Sequence, residues 1–423
     1  MLILHLSDIH FRKSEIATAQ DPNIHLRNEL IRDVEEQCEQ LGPPDVIIVS
    51  GDVAFAGAPE EFEFASQWLS ELCQRSGSSM KSVFVVPGNH DVVRSQADSL
   101  MVQLLHKAIK NAGDRTSQEI AMHLSDQEAQ RLLYQSLENY NQFAFQFFCD
   151  LMPPNRTRAR RDVTLNDGST LRLWGLNSAF VSSSQDKPGD MFVDPASFQI
   201  TRERGVVNLV VTHHHLSWLR QAQEFEDHFN SVAPVQIFGH VHLNRIVRNR
   251  DYLRLTASAA NPDRSESGWE PGYNLIELSV TGGPEARVLH TRSHVRIWQA
   301  SAAEFNAKMD RRSFSFDHEI NLENWHPPVE QVRTCDDVLV AEPEVTAMES
   351  GRGEAMDSLR DLGLRFYRLS FSKKLEIAGR LELLEEEDMR LPDFERFRRV
   401  FIRASERGIV RDFDHAVTAA EQG

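Results

Sequence analysis

The chain opens on an apolar run, Met1-Leu-Ile-Leu-His-Leu6, that ends in Ser7-Asp8, the pattern of a buried strand feeding a loop. Apolar positions recur at Leu30, Ile31 and Val34 and predict a helix over about 26–41, which Pro43-Pro44 stops. Residues 45–50 (DVIIVS) predict a second buried strand running into Gly51-Asp52, and 59–75 a second helix. A third strand, 82–86 (SVFVV), ends at Pro87-Gly-Asn-His-Asp91. Strand, helix, strand, helix, strand order implies parallel strands joined by helical crossovers. Each strand delivers a polar cluster at its carboxyl end, where open α/β sheets place their ligands.

From about 95 to 151 the chain is rich in Gln, Leu, Ala and Glu with few turn signals, which predicts a helical insertion. Phe143, Phe145, Phe147 and Phe148 give it an aromatic face, read as core or, alternatively, as a lid. Strand patterns resume at 170–176, 206–212, 235–239, 252–255, 274–278 and 286–297. Across 327–354 the pattern weakens into a linker with Pro327-Pro328 and Ser350-Gly-Arg-Gly353. Residues 355–423 then predict a small all-helical domain, with Ser370 capping the helix from Phe371 and Glu385 to Asp388 forming a solvated loop. The expected division is a large domain at 1–326, a linker at 327–354 and a helical adaptor or interaction domain at 355–423.

Composition narrows this picture in three ways. A hydrophobic share of 41% over 423 residues supports a sizeable core. No run of 18 apolar residues suggests a membrane span, and Cys38, Cys73, Cys149 and Cys335 form no CxxC pair. Together these point to a cytoplasmic protein with free thiols and no membrane partner. A net charge of −17 is opposite to the usual footprint of duplex binding. The densest basic runs, Arg156–Arg161 and Arg245–Arg254, read first as solvated surface.

Five clusters carry candidate chemistry: Asp8-Ile-His10, Gly51-Asp52, Gly88-Asn-His-Asp91, His213-His-His215 and Gly239-His-Val-His242. Carboxylate, amide oxygen and imidazole suit divalent first-row ions, and the lack of cysteine argues against a structural zinc site. A carboxylate between two such ions can bridge them, and two ions about 3.5–4 Å apart can clamp a phosphate and activate water.

In this order, the clusters resemble the calcineurin-like metallophosphoesterase superfamily, over about residues 1–300. The resemblance implies an α/β fold: a double β-sheet sandwich flanked by helices, here with a helical insertion and a small all-α C-terminal domain. It implies Asp8, His10 and His242 as ligands of one metal, Asn89, His213 and His240 as ligands of the other, and Asp52 as the bridging carboxylate. His90 matches the histidine facing substrate, with Asp91 expected to orient it and raise its basicity. The glycines before Asp52, Asn89 and His240 fit tight turns. His215 stands where the family often has proline; register favours His213 as the ligand, with His214 the alternative. The implied cofactors are two divalent ions, manganese first, with iron, zinc, nickel or cobalt as alternatives.

Substrate is less constrained, because one fold serves many chemistries. Residues 87–94 (PGNHDVVR) and the following insertion are similar to bacterial members from conflict and defence gene clusters. The helical tail resembles adaptor domains appended to bacterial effectors, which implies a protein partner; simple packing or self-association is the alternative. Three readings follow. A nuclease or phosphodiesterase effector predicts a basic groove, a cyclic-nucleotide phosphodiesterase or nucleotidase predicts a closed pocket under the insertion, and a non-catalytic scaffold would have lost the chemistry.

Overall fold

The computed structural model describes residues 1–16, 18–19, 21–263, 269–327 and 352–422. Three strands come first, β1 (Leu2–Leu6), β2 (Val46–Val49) and β3 (Val83–Val85). Six follow the insertion: β4 (Arg158–Thr164), β5 (Thr170–Leu176), β6 (Val206–Thr212), β7 (Val235–Phe238), β8 (Arg245–Asn249) and β9 (Tyr252–Thr256). The last four are β10 (Gly272–Thr281), β11 (Val288–Gln299), β12 (Glu304–Ala307) and β13 (Phe316–Asn321).

They form two sheets. One has the order β12-β11-β10-β1-β2-β3, with β13 also on β11; the other runs β4-β5-β6-β7-β9-β8. The β1-β2-β3 ladder is parallel, as the crossover pattern predicts, and the β5-β6-β7-β9 ladder is parallel too. Every residue of β1, β2, β3 and β7 is buried, which is why these strands read as largely apolar runs, broken only by His5 and Gln236, rather than alternating ones. Both sheets share one core: a Cβ at Gly175 of β5 would lie 2.8 Å from Val86, just past β3. This is the two-sheet α/β sandwich that the resemblance implies. Helices Ile24–Leu41 and Pro59–Arg75 bury Leu30, Ile31 and Val34, and Phe62, Trp68 and Leu69, against it. Pro59 opens its helix, where a missing N–H is no loss.

The insertion is helical, with segments Leu100–Lys110, Thr116–Ser125, Gln127–Tyr134 and Glu138–Ala144. Its aromatic face is core on two sides. Phe143 and Phe147 belong to the main core, whereas Phe145 is buried among the C-terminal helices and Phe148 packs beside it.

Those helices are Arg352–Arg368, Phe371–Arg380, Asp393–Glu406 and Val410–Gln422. The Ser370 hydroxyl accepts the Lys373 N–H, the expected cap. The expected linker at 327–354 lies outside the described residues except at its two ends. Glu385, Glu386 and Glu387 are exposed, as expected of a solvated acidic run, but Asp388 is fully buried, accepting the Glu385 N–H at 2.9 Å and pairing with Arg403. Arg399 and Arg403 from the next helix draw this one carboxylate inward.

The tail is joined to the insertion by a buried ionic lock. Asp150 has no exposed side-chain surface and pairs with Arg156 at 2.6 Å and with Arg398. Arg156 also reaches Glu395 at 2.8 Å. Phe148 faces Phe401 with ring centroids 5.5 Å apart, and Gly363 leaves the space the Phe148 ring fills.

Candidate metal centre

All five clusters meet at the carboxyl ends of parallel strands. Asp8 and His10 follow β1, Asp52 follows β2, Asn89 to Asp91 follow β3, His213 to His215 follow β6, and His240 and His242 follow β7. Five of these residues adopt the left-handed backbone that non-glycine residues avoid: Asp8 (φ 53°), His10 (53°), Asp52 (55°), His240 (68°) and His242 (52°). Each such turn costs about 1–2 kcal/mol and persists only where surroundings enforce it. Here the Ile9 and His10 N–H groups donate to the Asp52 carbonyl at 2.9 and 3.0 Å, binding one ligand loop to the next.

The side chains form two half-sites around one carboxylate. His242 Nε2 lies 3.1 Å from Asp8 Oδ1, and His10 Nε2 lies 3.2 Å from Asp52 Oδ2. On the other side His213 Nε2 is 3.2 Å from the same Asp52 oxygen, 3.0 Å from Asn89 Oδ1 and 3.2 Å from His240 Nδ1. Asp8 and Asp52 are buried carboxylates whose ion-pair partners among the described residues are histidines. Buried charges of this kind are stable when paired or bound to metal, and two imidazole nitrogens 3.2 Å apart call for a cation or proton between them. The oxygen and nitrogen donor set fits divalent first-row ions.

Three glycines leave room for this packing. Gly51 takes φ +99°, and a Cβ on it would lie 2.4 Å from His213 Nδ1. One on Gly88 would lie 2.1 Å from Asp52 Oδ1, and one on Gly239 2.3 Å from Ser7 Oγ. Gly88→Ala is therefore expected to displace Asp52 and abolish tight metal binding while far-ultraviolet dichroism stays native; a variant retaining full metal content would contradict this.

Charges follow the same geometry. Burial opposes ionisation of Asp8, but His242 and His213 hold it well below the usual carboxylate range. Burial likewise opposes a charge on His213, yet Asp52 beside it pushes that ring up to about 9. Burial and the neighbouring His213 lower His240 to about 3. The metal-free protein thus carries a proton on His213 at neutral pH, and a metal taken by that ring must displace it. Below about 9 proton and metal compete, so affinity is expected to rise as pH rises from 7 to 9. Calorimetric titration in buffers of different ionisation enthalpy reads the released proton, and pH-independent affinity would exclude the competition.

His90 and Asp91 differ from expectation in their partnership. The His90 N–H donates to Asp52 Oδ1 at 2.7 Å, and its ring Nδ1 faces the Phe55 carbonyl at 2.8 Å and an Arg94 nitrogen at 3.1 Å. The ring stacks on Phe55, with centroids 4.9 Å apart. Asp91 does not bond the His90 ring. Its carboxylate accepts the N–H groups of Gly88, Asp52 and Ala54 at 2.8, 2.9 and 2.8 Å, clamping two ligand loops together. Burial and the Asp52 charge push Asp91 up to about 8, against these three donors.

His215 fills a turn, its ring accepting the Ser217 N–H at 3.2 Å. Phe55, Arg94 and the Ser50 carbonyl, which lies 2.9 Å from His213 Nδ1, were not singled out by the sequence as contacts of the site. Only Arg94, four residues after His90, left a signal there. Ser50 acts through its backbone carbonyl, which any residue supplies, and Phe55 through its carbonyl and its stacked ring.

A two-sheet α/β sandwich with carboxylate and histidine loops at its strand ends defines a metallophosphoesterase. Residues 1–244 match the calcineurin-like phosphoesterase family, and the chain belongs to that family. Residues 358–419 match the GTPase-associated adaptor domain. The chain is 23% identical over 299 residues to the uncharacterized metallophosphoesterase-like protein YydB of Bacillus subtilis (strain 168), covering 66% of this chain and 57% of that protein. It is 35% identical over 92 residues to the glycerophosphodiester phosphodiesterase GpdQ of Enterobacter lignolyticus (strain SCF1), covering 22% and 30%. The chain thus spans little more than half the length of the first relative and under a third of the second. Among solved structures it is similar to the purple acid phosphatase PPD1 of yellow lupin seeds, 9% identical over 76% of this chain and 54% of that one, with a TM-score of 0.38.

Proposed function

We propose that this protein hydrolyses phosphodiesters with two divalent ions, one held by Asp8, His10 and His242, the other by Asn89, His213 and His240, and both by Asp52. The observation that carries this reading is the single Asp52 oxygen 3.2 Å from both His10 and His213. When bound, such ions neutralise charge on the phosphoryl oxygens and make a nucleophile available at neutral pH. Manganese is the first candidate, with iron, zinc, nickel and cobalt behind it.

The chain's own contribution is positioning. With its Nδ1–H given to the Phe55 carbonyl, His90 presents Nε2 toward the leaving oxygen. Asp91 holds the Asp52 and Asn89 loops at fixed spacing through its three backbone donors. Similarity to a glycerophosphodiester phosphodiesterase supports a diester over a monoester.

Within the diesters, a nucleotide-sized substrate fits better than long nucleic acid. The arginine runs that would serve a nucleic-acid face are largely engaged internally. Arg156 binds Asp150 and Glu395, Arg160 binds Asp162, Arg248 binds Asp310, and Arg254 binds Glu226. Nucleic acid remains the second reading, supported by Arg94 at the exposed mouth beside His90. The adaptor match supports recruitment by a protein partner, and a bacterial defence effector is the role we propose for such an arrangement. A cytoplasmic site of action accords with Cys38, Cys73 and Cys149 as free buried thiols. Among the described residues no helix is long and apolar enough to cross a membrane.

The test is the manganese-loaded protein on bis-p-nitrophenyl phosphate, p-nitrophenyl phosphate, cyclic nucleotides, and single-stranded and duplex DNA. Diester hydrolysis absent from an Asp52→Ala control is expected. A preference for the monoester would overturn the diester reading, and DNA cleavage exceeding small-diester turnover would favour the nucleic-acid one.

A further inference from the structure

We infer that His214 is a further ligand of the centre, adding a ring nitrogen to the ion held by Asn89, His213 and His240. This rests on the dinuclear reading above. His214 is wholly buried, and its ring lies 4.6 Å from that of His240 and 5.0 Å from that of His213, centroid to centroid. One ring nitrogen of each of the three histidines falls within 4.8 Å of the others. Adjacent residues normally point to opposite sides of an extended chain. Here the chain leaves β6 at Thr212, and both imidazoles reach the same cluster.

The hydrogen bonding of His214 is that of a ligand in waiting. Its Nδ1 lies 2.8 Å from the Ser178 hydroxyl, and its backbone N–H donates to the same oxygen at 3.2 Å. Ser178 is itself fully buried, two residues past β5. With the Nδ1 proton given to Ser178, the lone pair stays on Nε2, and this nitrogen is buried with no hydrogen-bond partner among the described residues. Metal-bound histidines characteristically donate their other ring N–H to such an acceptor, which fixes the tautomer and the ring angle.

A core histidine offers the contrast. His5, equally buried, meets Ser50 Oγ at 2.9 Å through Nε2 and Asn274 at 3.1 Å through Nδ1. His214 has one nitrogen satisfied and the other without a partner among the described residues, in a ring packed against those of His213 and His240, where an unmade bond costs about 1–3 kcal/mol. Trp218 packs edge-on against the His240 ring at 4.1 Å and closes the cluster on its outer side.

Cobalt(II) alone is the probe, because its visible absorption reports coordination number without any substrate. The full-length protein is titrated against a chelating dye, alongside His214→Ala, the more conservative His214→Gln, and Ser178→Ala, with thermal melting followed for each. Two cobalt ions per wild-type chain are expected. Ser178→Ala, which removes only the partner of the other ring nitrogen, should weaken one site by about 10–100-fold; either His214 variant should weaken the same site by more, with its visible band intensifying as a ligand is lost. Folded His214 variants with two sites of unchanged affinity and an unchanged spectrum would overturn the proposal while leaving the dinuclear reading intact. A wild-type chain that binds fewer than two ions would overturn the dinuclear reading itself, and this inference with it.

Discussion

Replacing Asp52 with alanine is expected to lower kcat/KM on a phosphodiester by more than about 10³-fold and to strip both metal sites. Among the described residues, Asp52 Oδ2 is the one side-chain oxygen paired with a histidine ring from each half of the centre, 3.2 Å from His10 and from His213, while Oδ1 accepts the His90 N–H at 2.7 Å. The variant therefore loses the shared ligand and loosens the loop that carries His90. Loss of His242 or His240 removes a ligand from one ion only, so either alanine variant should retain one tight site. Metal content and steady-state kinetics on the same preparations decide the matter. An Asp52→Ala protein with two bound metals and near-normal turnover would refute the bridging role.

The largest effect on stability is expected far from the chemistry. Asp150→Ala leaves the Arg398 guanidinium without its buried carboxylate, while Arg156 keeps Glu395 at 2.8 Å. Breaking a buried pair from one side destabilises by about 3–5 kcal/mol, because the remaining charge is uncompensated. Arg398→Met alone strands Asp150 less severely, since Arg156 still holds it at 2.6 Å. Asp150→Leu combined with Arg398→Met and Arg156→Met should recover much of the loss by replacing charge with packing. Urea unfolding monitored at the C-terminal helices would show these shifts, and an unshifted midpoint for Asp150→Ala would mean that water, not protein, satisfies the arginines.

How much of this was legible beforehand depends on what each residue reveals about its neighbours. Strands β1, β2, β3, β6 and β7 were readable because burial on both faces makes them mostly apolar, with only His5, Asn208, Thr212 and Gln236 as polar members. Strands β4 and β8 were not, because both are arginine-bearing edges. In β4 the inward positions are Ala159 and Arg161, and Arg161 is buried with its guanidinium on the Phe147 carbonyl at 3.0 Å. A buried arginine bonded to main-chain oxygen looks, in sequence, like a surface one. The same blindness explains Asp388, which four acidic letters in a row presented as solvated. The loops of the centre were legible because their residue types are demanded by metal chemistry and their spacing by strand ends. The partner of Asp91 was not: its carboxylate serves three backbone N–H groups, and no side-chain pattern encodes where a backbone N–H will be.

The lock around Asp150 also decides what kind of handle the C-terminal helices provide. A module on a leash searches a volume, and linking it to a target raises the local concentration without choosing a direction. Here the helices share a core with Phe145 and are bolted through Arg398 and Arg156 to the insertion that begins just beyond His90. Whatever grips the outer surface of those helices would hold the metal centre at a set bearing, aimed rather than tethered.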